Sequence, residues 1–175
     1  MVIKCTKPFS GANMRKLIVI LLAVSAFAFG LFTAPQKTFS APLVAPPISL
    51  AQFDKLITDA AGKAVVINVF ASWCGPCRNE ISELIRVRQQ FPVEQVAFIG
   101  LSVDNSMHAL QKFAVARNFN YPIFQDDGSI APAIRVSAIP LNIILTPDGN
   151  LFLRQEGAIN EEKLSGAIKG ALAAR

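Results

Sequence analysis

Histidine occurs once in this chain of 175 residues and cysteine three times. That scarcity narrows the metal chemistry open to it. A structural zinc site wants four cysteine and histidine ligands, whereas residues 48–175 offer only Cys74, Cys77 and the distant His108. A haem-attachment signature would put histidine directly after Cys77, and Arg78 stands there instead. No metal or other cofactor is therefore expected. Acidic residues are missing from residues 1–47, which hold Lys4, Lys7, Arg15, Lys16 and Lys37 and so carry the whole formal charge of +5. Residues 48–175 balance twelve bases with twelve acids, so the basic pI of 9.4 marks no nucleic-acid surface. Internal repeats are also absent.

Charge is lacking altogether from Leu17 to Ala34, eighteen residues preceded closely by Arg15 and Lys16. Such a run reads as a signal anchor or signal peptide, and the basic flank keeps the N-terminus in the cytoplasm. Ala26-Phe27-Ala28 resembles a cleavage site, but cutting there would leave an apolar Phe29–Phe32 tail, which favours an uncleaved anchor. The expected location is a single pass of the cell membrane with the rest on the extracytoplasmic, periplasmic side; cleavage would release it there instead. Met14 offers an alternative start. Cys5 precedes the apolar run and so cannot be a lipoprotein cysteine. The expected organisation is a basic segment at 1–16, the anchor or signal at 17–34, a proline-rich tether at 35–47 and one domain over 48–175.

The richest stretch is Val65 to Cys77. Val65 to Phe70 is apolar except for Asn68, as in a strand buried on both faces of a sheet. A short loop, Ala71 to Trp73, leads to Cys74-Gly75-Pro76-Cys77 and a helical pattern with Ile81, Leu84 and Ile85 on one face. Pro76 suits a first turn, where its missing N–H is no loss. Cys74 then sits at a helix N-terminus, where free N–H groups and the helix dipole favour the thiolate. The two-residue spacing puts Cys77 within bonding reach, so it can resolve a mixed disulfide formed by Cys74. A purely structural bridge would constrain little of the unfolded chain, because its loop is so small.

Around this stretch, the pattern predicts a helix after Ser49 and a second apolar strand over Gln95–Val103. Asp104-Asn105-Ser106 supplies caps for a helix to Arg117, and a short helical piece follows near Ile130–Ile134. Strands at Leu141–Leu145 and Leu151–Glu156 form a hairpin, and Asn160 caps a final helix. Strand, helix, strand alternation argues for an α/β fold with a parallel central pair and a mixed sheet flanked by helices.

Trp73-Cys74-Gly75-Pro76-Cys77 matches the thioredoxin active-site motif, and the wider chain resembles the TlpA-type (ResA/CcmG-like) membrane-anchored thioredoxins. The resemblance implies a thioredoxin fold behind an N-terminal membrane anchor. It implies that Cys74 and Cys77 are the catalytic, redox-active pair of an extracytoplasmic thiol-disulfide oxidoreductase. Ile139-Pro140 matches the fold's cis-proline, opposite the cysteines, so Trp73, Ile139 and Pro140 are expected to contact substrate. Gly75-Pro76 and the residue Ile139 match reducing members more than oxidising ones. Asn68 replaces the buried aspartate of cytosolic thioredoxins and reads as a polar core residue. Glu80, one turn after Cys77, either handles protons for the cysteines or is a solvated carboxylate at the helix N-terminus. Protein disulfides are the implied substrates, a transmembrane dithiol donor the implied electron source, and a monomer the expected state. Relatives dedicated to apocytochrome c often carry acids within the motif and just after the cis-proline, where this chain has Gly75 and Leu141. A peroxiredoxin-type peroxidase would want proline and threonine at Ile67 and Ala71, and a non-redox binding module would use only the apolar surface near Trp73.

Overall fold

The computed structural model describes residues 44–174. The basic segment, the apolar run with Cys5 before it, and most of the proposed tether lie outside the described residues. No helix among those described is long and apolar enough to cross a membrane.

Among the described residues, six strands and five helices follow in order: β1 Val44–Ile48, α1 Leu50–Asp59, β2 Ala64–Phe70, α2 Gly75–Arg88, β3 Val96–Ser102, α3 Met107–Arg117, β4 Ile123–Asp126, α4 Ile130–Ala133, β5 Leu141–Leu145, β6 Leu151–Glu156 and α5 Glu161–Ala173. The sheet order is β1-β4-β3-β2-β5-β6. The pairs β1–β4, β4–β3 and β3–β2 are parallel; β2–β5 and β5–β6 are antiparallel. This mixed, helix-covered sheet is the expected thioredoxin-like architecture.

β2 is the pivot because every one of its residues is buried. Successive side chains leave a strand on opposite faces, and the packing obeys this. Val66 and Phe70 join a cluster with Cys77, Ile81 and Leu84 of α2, Leu110 of α3 and Leu164 and Ile168 of α5. Val65, Ile67 and Val69 face the other way, onto Phe53 of α1, Ile130 of α4 and Leu141 and Ile143 of β5. Asn68 shares the face of Val66 and Phe70, so the strand's one polar side chain is aimed at α2. In the neighbouring strand, Gly100 stands level with Asn68. A Cβ there would come within 3.3 Å of the Phe70 and Tyr121 rings, so the glycine makes room for two aromatics.

Helix starts follow the predicted caps. Ser49 and Gln52 form a capping box on α1, and Asn160 accepts from the Lys163 N–H to cap α5. The stretch 35–47, read from its prolines as a tether, needs correction at its end: Val44–Ile48 is a strand of the sheet. Two features permit this. β1 lies at the sheet's edge, where only one side needs hydrogen bonds, and Pro46 and Pro47 fall where the register with β4 is interrupted.

Candidate active site

Strand β2 ends at Phe70 and the chain turns through Ala71, Ser72 and Trp73 to α2. Cys74 is the N-cap of that helix, and its Sγ lies 3.3 Å from the Cys77 N–H. A backbone donor aimed at this sulfur, at the positive end of a fourteen-residue helix, is the arrangement that lowers a thiol's proton affinity. Cys74 and Cys77 are joined as a disulfide, with their Cα atoms 5.3 Å apart. Cys74 retains 6% exposure, whereas Cys77 has none. The outer sulfur is therefore the one an incoming group can reach.

The rim around Cys74 contains the other predicted contacts. Trp73, next to Cys74, is 68% exposed. The Ile139–Pro140 bond is cis, as expected, and the Ile139 carbonyl oxygen lies 3.9 Å from Cys74 Sγ. Pro140 is buried beneath it, and Ile139 is half-buried. His108 is exposed on α3.

Glu80 departs from one of its two readings. It is 2% exposed, so it is not a solvated carboxylate. Asn68 Nδ2 donates to Oε2 at 3.0 Å, while Asn142 Nδ2 and the Ile159 N–H donate to Oε1 at 2.6 and 2.7 Å. Burial raises its proton affinity and the three donors lower it; burial wins, and the carboxyl's pKa lies above the ordinary 4.5. The sign for stability follows. The unfolded chain stays ionised down to about 4.5, whereas the folded one takes up its proton at higher pH, so acidification through that window favours folding. Urea unfolding of the oxidised protein should therefore show stability rising, relative to Glu80→Gln, as pH falls toward 4.5. A flat or opposite difference would remove the claim.

Two residues not singled out from the sequence belong to the site. Asn142 is fully buried in β5, directly opposite Asn68 in the antiparallel register. Its signal was present: it is the sole polar residue of Leu-Asn-Ile-Ile-Leu, as Asn68 is of its own strand. Asp104, read as a helix cap, does a different job. Ser106 caps α3, and Asp104 instead accepts from the Ser72 N–H at 2.8 Å, Ser72 Oγ at 2.6 Å and Ser102 Oγ at 2.7 Å. The topology explains it. β2 and β3 run parallel with Phe70 opposite Ser102, so residues just past both strand ends emerge side by side. Asp104 thus ties down the loop that delivers Trp73 and Cys74.

The chain's relatives fit this geometry. It is 24% identical over 152 residues to the Thiol-disulfide oxidoreductase ResA of Bacillus subtilis (strain 168), covering 85% of each protein. It is 30% identical over 155 residues to the Probable thiol:disulfide interchange protein DsbE-2 of Pasteurella multocida (strain Pm70), covering 83% of this chain and 80% of that one. Its fold is shared with the crystal structure of a thioredoxin-family thiol:disulfide interchange protein from Chlorobium tepidum TLS. There the TM-score is 0.62 at 23% identity, over 66% of this chain and 83% of the other. The AhpC/TSA family model matches residues 37–153, which runs from ahead of β1 through the cysteine motif and the cis-proline into β6. With its redox pair, fold and relatives in agreement, the chain belongs to the AhpC/TSA family.

Proposed function

We propose that the chain is an extracytoplasmic thiol-disulfide oxidoreductase that reduces protein disulfides. The observation that carries this is the Cys74–Cys77 bridge at the start of α2, its outer sulfur bordered by Trp73 and the Ile139 carbonyl. In the reduced protein the Cys74 thiolate attacks one sulfur of a partner's disulfide. That bond breaks, the partner's other sulfur leaves as a thiolate, and a mixed disulfide remains. Glu80, as carboxylate, takes the proton from Cys77 one helical turn away. The Cys77 thiolate then attacks Cys74, the mixed bond breaks, and the partner's second thiolate leaves. Two electrons have passed from the enzyme's dithiol to the partner, which ends with two thiols. The Ile139 carbonyl, beside Cys74 Sγ, suits an extended substrate segment laid next to the sulfur.

The apolar run 17–34 as membrane tether, a monomeric domain beyond it and a transmembrane dithiol donor complete the reading; such a donor is what a reductant needs in an oxidising compartment. Apocytochrome c as dedicated substrate is the narrower version. Buried Glu80 favours it, while Gly75 and Leu141 do not. A peroxidase is disfavoured by Ile67, sealed in β2, and by Ala71, which offers no hydroxyl beside Cys74.

Insulin reduction with dithiothreitol as donor tests the proposal. The full chain should accelerate it, and Cys74→Ser and Cys77→Ser should each abolish the acceleration. Equal effects of all three proteins would point to a binding module. The couple should lie near the thioredoxin value of about −270 mV, and one near about −120 mV would reverse the assigned direction.

A further inference from the structure

An amide buried in the middle of an apolar strand costs free energy unless its polar atoms are partnered. Asn142 meets that demand in a directional way. Its Oδ1 accepts from Asn68 Nδ2 at 3.0 Å, and its Nδ2 donates to Glu80 Oε1 at 2.6 Å. Directly opposed residues of an antiparallel pair leave the sheet on the same face, so the two amides meet side by side under α2. Asn68 spends one hydrogen on Asn142 and the other on Glu80. That pairing occupies the Asn142 oxygen and leaves only its N–H to face the carboxyl. Turning Asn142 over would bring two N–H groups together on one side and two oxygens together on the other.

We propose that Asn142 is a positioning residue for the exchange reaction: locked by Asn68, it holds the Glu80 carboxylate in place as acceptor of the Cys77 proton. The proposal rests on the reading of Glu80 given above and adds to it the residue that orients it. β5 makes the placement consequential, because the strand starts at Leu141, two residues beyond the carbonyl beside Cys74. The Ile139 carbonyl and the side chain that holds Glu80 thus lie within four consecutive residues, Ile139 to Asn142, at the start of β5.

The other groups facing Glu80 do not take this role. From α2, Cys77 precedes it by one turn, and Glu83 follows but is paired with Arg86 at 2.6 Å. From α5, Lys163 lines the same surface groove as Glu80 and Glu83 without bonding either. The Ile159 N–H is backbone and invariant to side-chain change. From the segment before β4, the Tyr121 phenol has no hydrogen-bond partner among the described residues, and its proton affinity is raised by burial first and by the Glu80 charge second. Asn142, like Asn68, is a neutral donor to Glu80, so its removal leaves all of these charges unchanged.

Single-turnover oxidation of the reduced full chain by oxidised glutathione provides the test. The chain's single tryptophan, Trp73, adjoins Cys74 and reports the closing step by fluorescence. In the wild type, closure should fall off on the acid side as Glu80 takes its proton. Asn142→Leu removes a donor to the carboxylate, so the inflection should move to higher pH by about one unit, a tenfold loss of rate on the acid side. Asn142→Thr, better suited to a strand, should move it the same way if the leucine variant does not fold. Glu80→Gln should lose the inflection, and adding Asn142→Leu to it should change nothing further. If Glu80→Gln loses the inflection while both Asn142 variants keep the wild-type profile, the positioning role is overturned and Glu80 keeps its own. If Glu80→Gln itself keeps the inflection, both assignments fall.

Discussion

Cys77→Ser is expected to convert a transient mixed disulfide into a stable covalent complex with the protein's substrates. The reasoning separates the two sulfurs by what activates each. Cys74 owes its activation to its N-cap position and to the backbone N–H of residue 77, 3.3 Å from Sγ. Serine supplies the same N–H, so attack by Cys74 survives the change. What is lost is the second sulfur, which is fully buried and within bonding reach of the first, and with it the only intramolecular route of release among the described residues. Non-reducing electrophoresis should show adducts that collapse on adding dithiothreitol, and Cys74→Ser/Cys77→Ser should show none. Adducts that persist without Cys74, or none from Cys77→Ser, would sink the assigned order of attack. The captured proteins also decide between general reduction and apocytochrome c.

Asp104→Ala should be nearly as damaging, although Asp104 touches neither sulfur. Its carboxyl accepts from the Ser72 N–H, the Ser72 hydroxyl and the Ser102 hydroxyl, in a site where the aspartate is 4% exposed. A buried donor left without an acceptor costs about 1–3 kcal/mol, and hydroxyls can turn toward other partners where a backbone N–H cannot. A loss of about 3 kcal/mol in urea unfolding is the expected total, since neighbouring losses of this kind do not simply add. Activity per folded molecule should fall as well, because the Ala71–Trp73 loop would no longer be held against β3. Asp104→Asn keeps the size but turns an amide N–H toward one of the donors, and should lie between. Unchanged activity per folded molecule in both variants would show that Asp104 serves stability alone.

Local features were the legible ones. Val65 to Phe70 announces itself as a run apolar except for Asn68, and Pro76 between two cysteines fixes where α2 begins. Ser49 and Asn160 were readable as caps because capping is decided within a single turn. What escaped depends on partners far along the chain. Val44–Ile48 looks like tether because its two prolines suit one, and only β4, more than seventy residues on, makes it a strand. Asp104 looks like a cap until parallel pairing brings it beside Ser72. Asn142 looks like an interruption of a strand until Asn68 and Glu80 are laid against it. Glu80 itself was recognised, but not its burial, because helix α2 alone does not say how deeply its inner face sinks.

The edge prolines have a consequence beyond the fold. A free strand margin normally offers a row of N–H and C=O groups on which another chain can zip itself in register. At β1 that row is interrupted by Pro46 and Pro47, which have no hydrogen to give and are both exposed. Crowded copies of this protein therefore meet, along that side, a margin that resists fibril-like stacking.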